Sequence, residues 1–368
     1  MRRGVEHGAR YFMDDADLLL TILALLYVGV TIYLANQDEL ARLTGGGDDL
    51  AARQRALLQR WLLYGLALMN FVYNFLILQM ALLNGVSDAL PADLMAELPA
   101  VDVRAALVNA ALAGLISWFG ARVVASPETR RLIRERLGSG YDPDSPVHTT
   151  AVVLCLMFLS ATFGQLVLSG GLSGLAQSFD DISSSSLVFQ AVLMVVAALL
   201  GVGLAIRRTL PQALERLGLR LPTGQDLRWG IGAGLLLVLA LMVMSNIWAL
   251  LAPIEQINEQ SAAAEGLSRA FGTLPLALLL AATAAVGEEV LFRGALQPVF
   301  GLWATGIFFA LVHMQYTLTP ASLIIFVIGL GFGWVRQRQS TTAAILAHFV
   351  YNFVIQVIAI WAAGAAGL

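Results

Sequence analysis

Ten apolar runs, most of them long enough to cross a hydrocarbon layer as a helix, constrain this chain more than any other feature. They lie near Leu18–Ala35, Trp61–Leu83, Ala105–Ala121, Val147–Leu168, Leu187–Ile206, Trp229–Ala252, Leu274–Gln297, Ala304–Tyr316, Ala321–Val335 and Ala343–Ala363. A spanning helix needs about 20 mainly apolar residues, and only helices and closed barrels satisfy their backbone within lipid. The eighth and ninth runs are short or poorly separated, so ten spans are expected and eight or nine are tolerable. Apolar residues form 58% of the 368 and charged residues 13%, with a mean hydropathy of +0.76. That composition excludes a soluble domain. The expected fold class is all-α, a polytopic transmembrane helical bundle of about 8–10 spans.

Arginine placement orients the bundle. The connections at 36–60, 122–146, 207–228 and 336–342 carry 4, 5, 5 and 2 arginines. The alternate connections at 84–104, 169–186, 253–273 and 317–320 carry only Arg104 and Arg269. By the positive-inside rule the first set is cytoplasmic and the N-terminus outside. Arg2, Arg3 and Arg10 oppose this mildly, but acidic neighbours accompany them. The first run follows acidic residues and has no Ala-x-Ala site after it, so it reads as a retained span rather than a cleaved signal. All 22 basic residues are arginine, which suggests GC-rich coding and a prokaryotic cytoplasmic membrane. Cys155 is the one cysteine, so neither a disulfide nor a cysteine metal cluster is expected.

Two arginine-rich connections contain helix signals. Ser126-Pro127-Glu128 starts one and Gly138 stops it; Pro211 to Gly218 repeats the pattern. These read as solvated loops obeying positive-inside, with contact to anionic headgroups as the sharper alternative. Gly230/Gly234 and Gly329/Gly333 are small residues four apart and read as packing positions. The sequence shows no internal repeat and no nucleic-acid footprint.

Against this background the stretch Gly287-Glu288-Glu289-Val290-Leu291-Phe292-Arg293-Gly294 stands out. Intramembrane ionisable groups are rare and mark functional sites. On a helix Glu289 and Arg293 can pair, while Glu288 points about 100° away. His313 closes Phe309-Ala310-Leu311-Val312-His313, and His348 and Asn352 share one face of the last run. At about 1.5 Å per residue, Glu288 lies about 20 Å into its span, His313 about 14 Å and His348 about 8 Å into theirs. The depths overlap, so three helices can aim Glu288, His313, His348 and Asn352 at one cavity. Each residue alone has a structural reading, as interhelical hydrogen-bonder or ion pair; all four at matching depth favour a site.

The chemistry such a set supports is water-mediated amide hydrolysis. A carboxylate in an apolar wall can take a proton from water and pass it to a leaving amine. A histidine on the same water orients it, and an imidazole N–H with an asparagine amide can donate to the tetrahedral oxyanion. A zinc site is the nearest rival, since Glu and His are zinc ligands, but there is no His-Glu-x-x-His and asparagine is a poor ligand. Gly171-Leu172-Ser173-Gly174 matches a short serine-protease motif, yet no apolar helix carries Ser173 inward. A non-catalytic scaffold or immunity protein would keep the same residues for binding. A proton-coupled carrier should show inverted repeats.

Three motifs in order, Glu288-Glu289-x-x-x-Arg293, Phe309-x-x-x-His313 and His348-x-x-x-Asn352, resemble those of the CPBP family of CAAX prenyl endopeptidases and bacteriocin-processing or immunity proteins. The resemblance runs roughly from Leu217 to Ile360. It implies a glutamate-type intramembrane endopeptidase in which Glu288 activates water with His313, His348 and Asn352 form the oxyanion site, and Glu289 and Arg293 support the geometry. It implies no cofactor, with zinc left open. The domains expected are 1–210, a transmembrane helical extension, and 211–368, the protease core. The partners expected are the bilayer and a membrane-associated peptide or protein substrate, with the active site toward the cytoplasmic half.

Overall fold

In the computed structural model, residues 15–46, 50–84, 100–138, 140–172, 174–175, 182–313 and 321–366 are described. Ser173 and the 317–320 connection lie outside them. Helices carry the described chain: α1 Asp15–Thr44, α2 Leu50–Asn84, α3 Val103–Ala125, α4 Pro127–Leu137, α5 Pro146–Leu168, α6 Ser184–Gly201 and α7 Leu210–Leu217. They continue as α8 Gly224–Leu251, α9 Ile254–Ala270, α10 Leu274–Glu288, a π-helical turn Glu289–Leu296, α11 Gln297–Leu311, α12 Ser322–Arg338 and α13 Thr341–Ala366. Among the described residues no strand forms, and the fold is an all-α polytopic bundle.

Eight helices are long and apolar enough to cross a membrane, and one of these is the continuous stretch Leu274–Leu311. That stretch is two antiparallel arms. A straight helix would hold Phe292 and Phe309 about 25 Å apart at about 1.5 Å per residue, yet their ring centroids are 5.2 Å apart. The reversal is at Gly301, whose φ of 80° and ψ of 171° are open to glycine. The seventh and eighth apolar runs are these arms, and the ninth is α12, only 17 residues long.

The bundle is inside-out in polarity relative to a soluble core, as lipid exposure requires. Leu236, Trp118 and Trp303 are exposed, whereas Asn74, Asn109 and Gln59 are buried. Around α2, α3 and α5 the buried amides bond across helices: Asn109 Nδ2 to Asn74 Oδ1 at 2.8 Å, Asn70 Nδ2 to Ser117 Oγ at 2.9 Å and Gln59 Nε2 to Thr150 Oγ1 at 2.7 Å. In an apolar solvent such bonds hold helices in register.

The arginine-rich connections gather at one end of the bundle. Arg42 on α1 meets Asp142 at 2.8 Å, Arg216 on α7 donates to the Gly294 carbonyl at 3.1 Å, and Thr341 N donates to the Gly218 carbonyl at 3.0 Å. Tyr141 stacks on Phe300 beside the Gly301 reversal. At the other end Val101 packs with Val167 and Leu168, and Gln356 bonds the Phe271 carbonyl. The two helical loops form as their signals direct. Ser126 Oγ caps α4 at Thr129 N and Gly138 ends it; Thr209 and Gly218 bound α7.

The position near 210 is not a gap in packing. Ala198 and Val202 of the α6 end share a core with Leu217 and Val290. Gly287 lies so close to α6 that a Cβ there would sit 3.0 Å from the Ala191 Cα.

Candidate active site

The site is built where α10 passes into the π-helical turn. The i→i+5 bonding of a π turn widens the helix by one residue, a distortion frequent at functional sites. Here it begins at Glu289, directly after Glu288, and ends before Gln297. Gly294 lets the turn approach α7, since a Cβ there would lie 3.1 Å from the Leu217 carbonyl oxygen.

Two glutamate–histidine pairs result, and they differ. Glu289 is fully buried, with Oε2 3.3 Å from Arg293 Nε and Oε1 2.9 Å from His348 Nδ1. Arg293, 1% exposed, donates from Nη2 to the Gly329 carbonyl at 3.1 Å and lies over the Phe309 ring, 4.6 Å from its centroid. Its neighbour one turn on, Gln297, donates to the Gly333 carbonyl at 2.9 Å. His348 stacks on Phe332 at 4.5 Å and 16°. This group is buried, and within it Glu289 Oε2, Arg293 Nε and Nη1 and Gln297 Oε1 are closed to solvent without a hydrogen-bond partner.

Glu288 and His313 form the open pair. Their side chains are 20% and 21% exposed, and His313 Nε2 stands 3.7 Å from Glu288 Oε2. That is too long for a direct hydrogen bond and short enough for one bridging water; Oε2 is itself closed to solvent and has no hydrogen-bond partner. The Phe309 carbonyl lies 2.6 Å from His313 Nδ1. A carbonyl only accepts, so Nδ1 carries a proton and Nε2 is the atom turned to Glu288. Asn352 lies one turn beyond His348 on α13 and is half-buried.

The structure thus brings together Glu288 with His313, and Glu289 with Arg293 and His348. The Glu289–Arg293 pairing and the divergence of Glu288 are as the i, i+4 spacing requires. Three features escape a reading of the sequence. No residue pattern announces the π turn. The Glu289–His348 bond joins helices 59 residues apart. Gly329 and Gly333, read as packing positions, also present carbonyls to Arg293 and Gln297. One signal was available for the last: both pairs are spaced by four, so two rungs can form between two helices. Among the described residues no three His, Cys, Asp or Glu side chains group to hold a metal ion.

A polytopic helical membrane protein with paired carboxylates and histidines inside it is the class that fold and site define. The family model described as type II CAAX prenyl endopeptidase Rce1-like matches residues 270–354. That stretch is similar to the CAAX proteases, as the three motifs imply, and contains all six residues named above. The match is narrower than Leu217–Ile360. Over 87 residues the chain is 31% identical to an uncharacterized protein, YpbD, of Bacillus subtilis (strain 168), covering 22% of this chain and 44% of that protein. The chain thus spans less than half the length of this curated relative. No solved structure matches.

Proposed function

We propose that the chain is an intramembrane endopeptidase that hydrolyses a peptide bond of a membrane-associated protein or peptide, with Glu288 as the base that activates water. The observation that carries this reading is the 3.7 Å Glu288–His313 pair, part-exposed beside a buried charged cluster. Water between them gives its proton to Glu288 and its oxygen attacks the peptide carbonyl carbon. The C–N bond then breaks, and Glu288 returns the proton to the leaving amine, giving a carboxylic acid and an amine, which settle as carboxylate and ammonium.

The tetrahedral oxyanion accepts hydrogen bonds from the His348 ring and the Asn352 amide. Glu289 constrains the first of these. Glu289 Oε1, 2.9 Å from His348 Nδ1, sets the plane of that ring and turns its Nε2 edge away from the pair. Glu289 and Arg293 are positioning residues in this scheme. The protease core is 211–368, and residues 1–210 are an extension whose α6 braces α10. The arginine-rich end faces the cytoplasm by the positive-inside rule, and the all-arginine composition supports a prokaryotic membrane.

The test compares membrane proteomes from cells carrying wild type or Glu288→Gln, scored for new peptide termini. Termini made only by wild type support proteolysis and name the substrate. Identical profiles, with both proteins equally abundant in the membrane, sink the reading.

A further inference from the structure

We infer that Arg207, Arg208, Arg216 and Arg336 form a binding site for a phosphate-type oxyanion at the arginine-rich end of the bundle, against α7 and the π-helical turn. The inference does not depend on the peptidase reading. Arg207 and Arg208 follow α6, Arg216 is in the last turn of α7 and Arg336 in the last turn of α12. None of the four lies within 4.0 Å of a carboxylate among the described residues. Glu39, the acid nearest in effect to Arg207, is already committed to Arg42 at 2.6 Å and Ser145 at 2.8 Å. Glu215 is exposed.

A solvated basic loop would leave each of these side chains exposed, and none of them is. All four are half-buried. Arg207 donates to Asn36 Oδ1, Arg208 to the Val202 carbonyl and Arg216 to the Gly294 carbonyl, all neutral acceptors. Arg336 Nε is shut off from solvent with no hydrogen-bond partner. Burial first, then repulsion from Arg208, Arg336 and Arg207, pushes Arg216 down to about 10. The C-terminal ends of α7 and α12 offset only a partial charge each, which leaves a group of half-buried cations that an anion would complete.

Two glycines let two of these side chains lie against the backbone. A Cβ on Gly218, whose φ is 68°, would fall 2.6 Å from Arg336 Nη2, and one on Gly203 would fall 2.9 Å from Arg207 Nε. Guanidinium forks suit phosphate oxygens, and basic pockets at helix ends take phospholipid headgroups. Through Arg216 and the Gly294 carbonyl, a bound anion would also brace the turn that carries Glu289 and Arg293.

The experiment uses the purified full chain in neutral detergent. Phosphatidylglycerol added to phosphatidylcholine micelles is expected to raise the melting temperature by about 3–6 °C over phosphatidylcholine alone. The double variant Arg216→Gln/Arg336→Gln should lose most of that rise. Arg131→Gln/Arg136→Gln on exposed α4, with the same change in charge, should keep it. Inorganic phosphate is the second probe: if it reproduces the rise, the ligand is a soluble phosphate, and if only phosphatidylglycerol acts, it is a headgroup. Either supports the site. No rise with either probe, or an equal loss in both double variants, overturns it. Should the first double variant not fold, Arg336→Gln alone carries the comparison, since its guanidinium makes no hydrogen bond to a described residue.

Discussion

The two halves of this bundle bury polar groups in opposite ways. Around α2, α3 and α5 the interior is bridged by neutral amides and hydroxyls: Asn109 and Ser117 of α3 bond Asn74 and Asn70 of α2, which bond each other. Around the π-helical turn it is bridged by a carboxylate, a guanidinium and an imidazole, with no exposed side chain among the three. Neutral bonds between membrane helices contribute only about 0.6–2 kcal/mol each, because the amides find other partners when the helices part. Charged groups have no such fallback, so the second region is held by what it costs to take apart. A neutral network suffices to register helices; the charged one also fixes the rotation of the groups it joins. Glu288 stands at the edge of the second network, its side chain 20% exposed but its Oε2, the atom turned to His313, closed to solvent.

That contrast can be tested by substitution. Glu288→Gln is expected to lower peptidase turnover by about 10²–10⁴-fold, the range for loss of a general base, with little change in melting temperature. Asn74→Ala should leave turnover intact; equal losses from both would remove the distinction between the halves. Arg293→Met strands a buried Glu289 and should destabilise by about 3–5 kcal/mol, read as a drop in melting temperature of the purified protein. A loss below that of Asn74→Ala would show the charged cluster to be no more than glue. Gly329→Ala places a Cβ 2.9 Å from the Phe309 ring and should cost about 1–3 kcal/mol by overpacking. Because Phe309 also carries the carbonyl that fixes His313, this variant should reduce turnover too. Asn74→Ala itself is expected to cost about 0.6–2 kcal/mol. Smallest of all, a chelator should leave turnover unchanged. Loss on chelation, restored by zinc, would bring the metal reading forward.

How far the site was legible depends on the range of each interaction. The Glu289–Arg293 pair is local to one helix, and its spacing shows it. The meeting of Glu288 with His313 follows from depth, because a bilayer of fixed thickness converts residue count into height. Depth gives no rotation, however, and rotation decides which glutamate each histidine meets. That His348 belongs to Glu289, and that Gly329 and Gly333 offer carbonyls to Arg293 and Gln297, are matters of helix rotation. The hairpin at Gly301 falls between: two apolar runs were visible, but nothing marked the turn except the glycine itself, in a chain with 34 of them.

The sequence by itself determined the class, the number of apolar segments, the gathering of arginine-rich connections at one end and the residues that do not belong in lipid. These follow from transfer free energies, which each residue carries wherever it is placed. Only the tertiary structure decided that the helix widens into a π turn after Glu288 and that Glu289 is sealed between Arg293 and His348. The same holds for the four half-buried arginines that have no carboxylate within 4.0 Å among the described residues. Both depend on which helices pack, since burial, unlike hydropathy, belongs to the assembled neighbours and not to the residue.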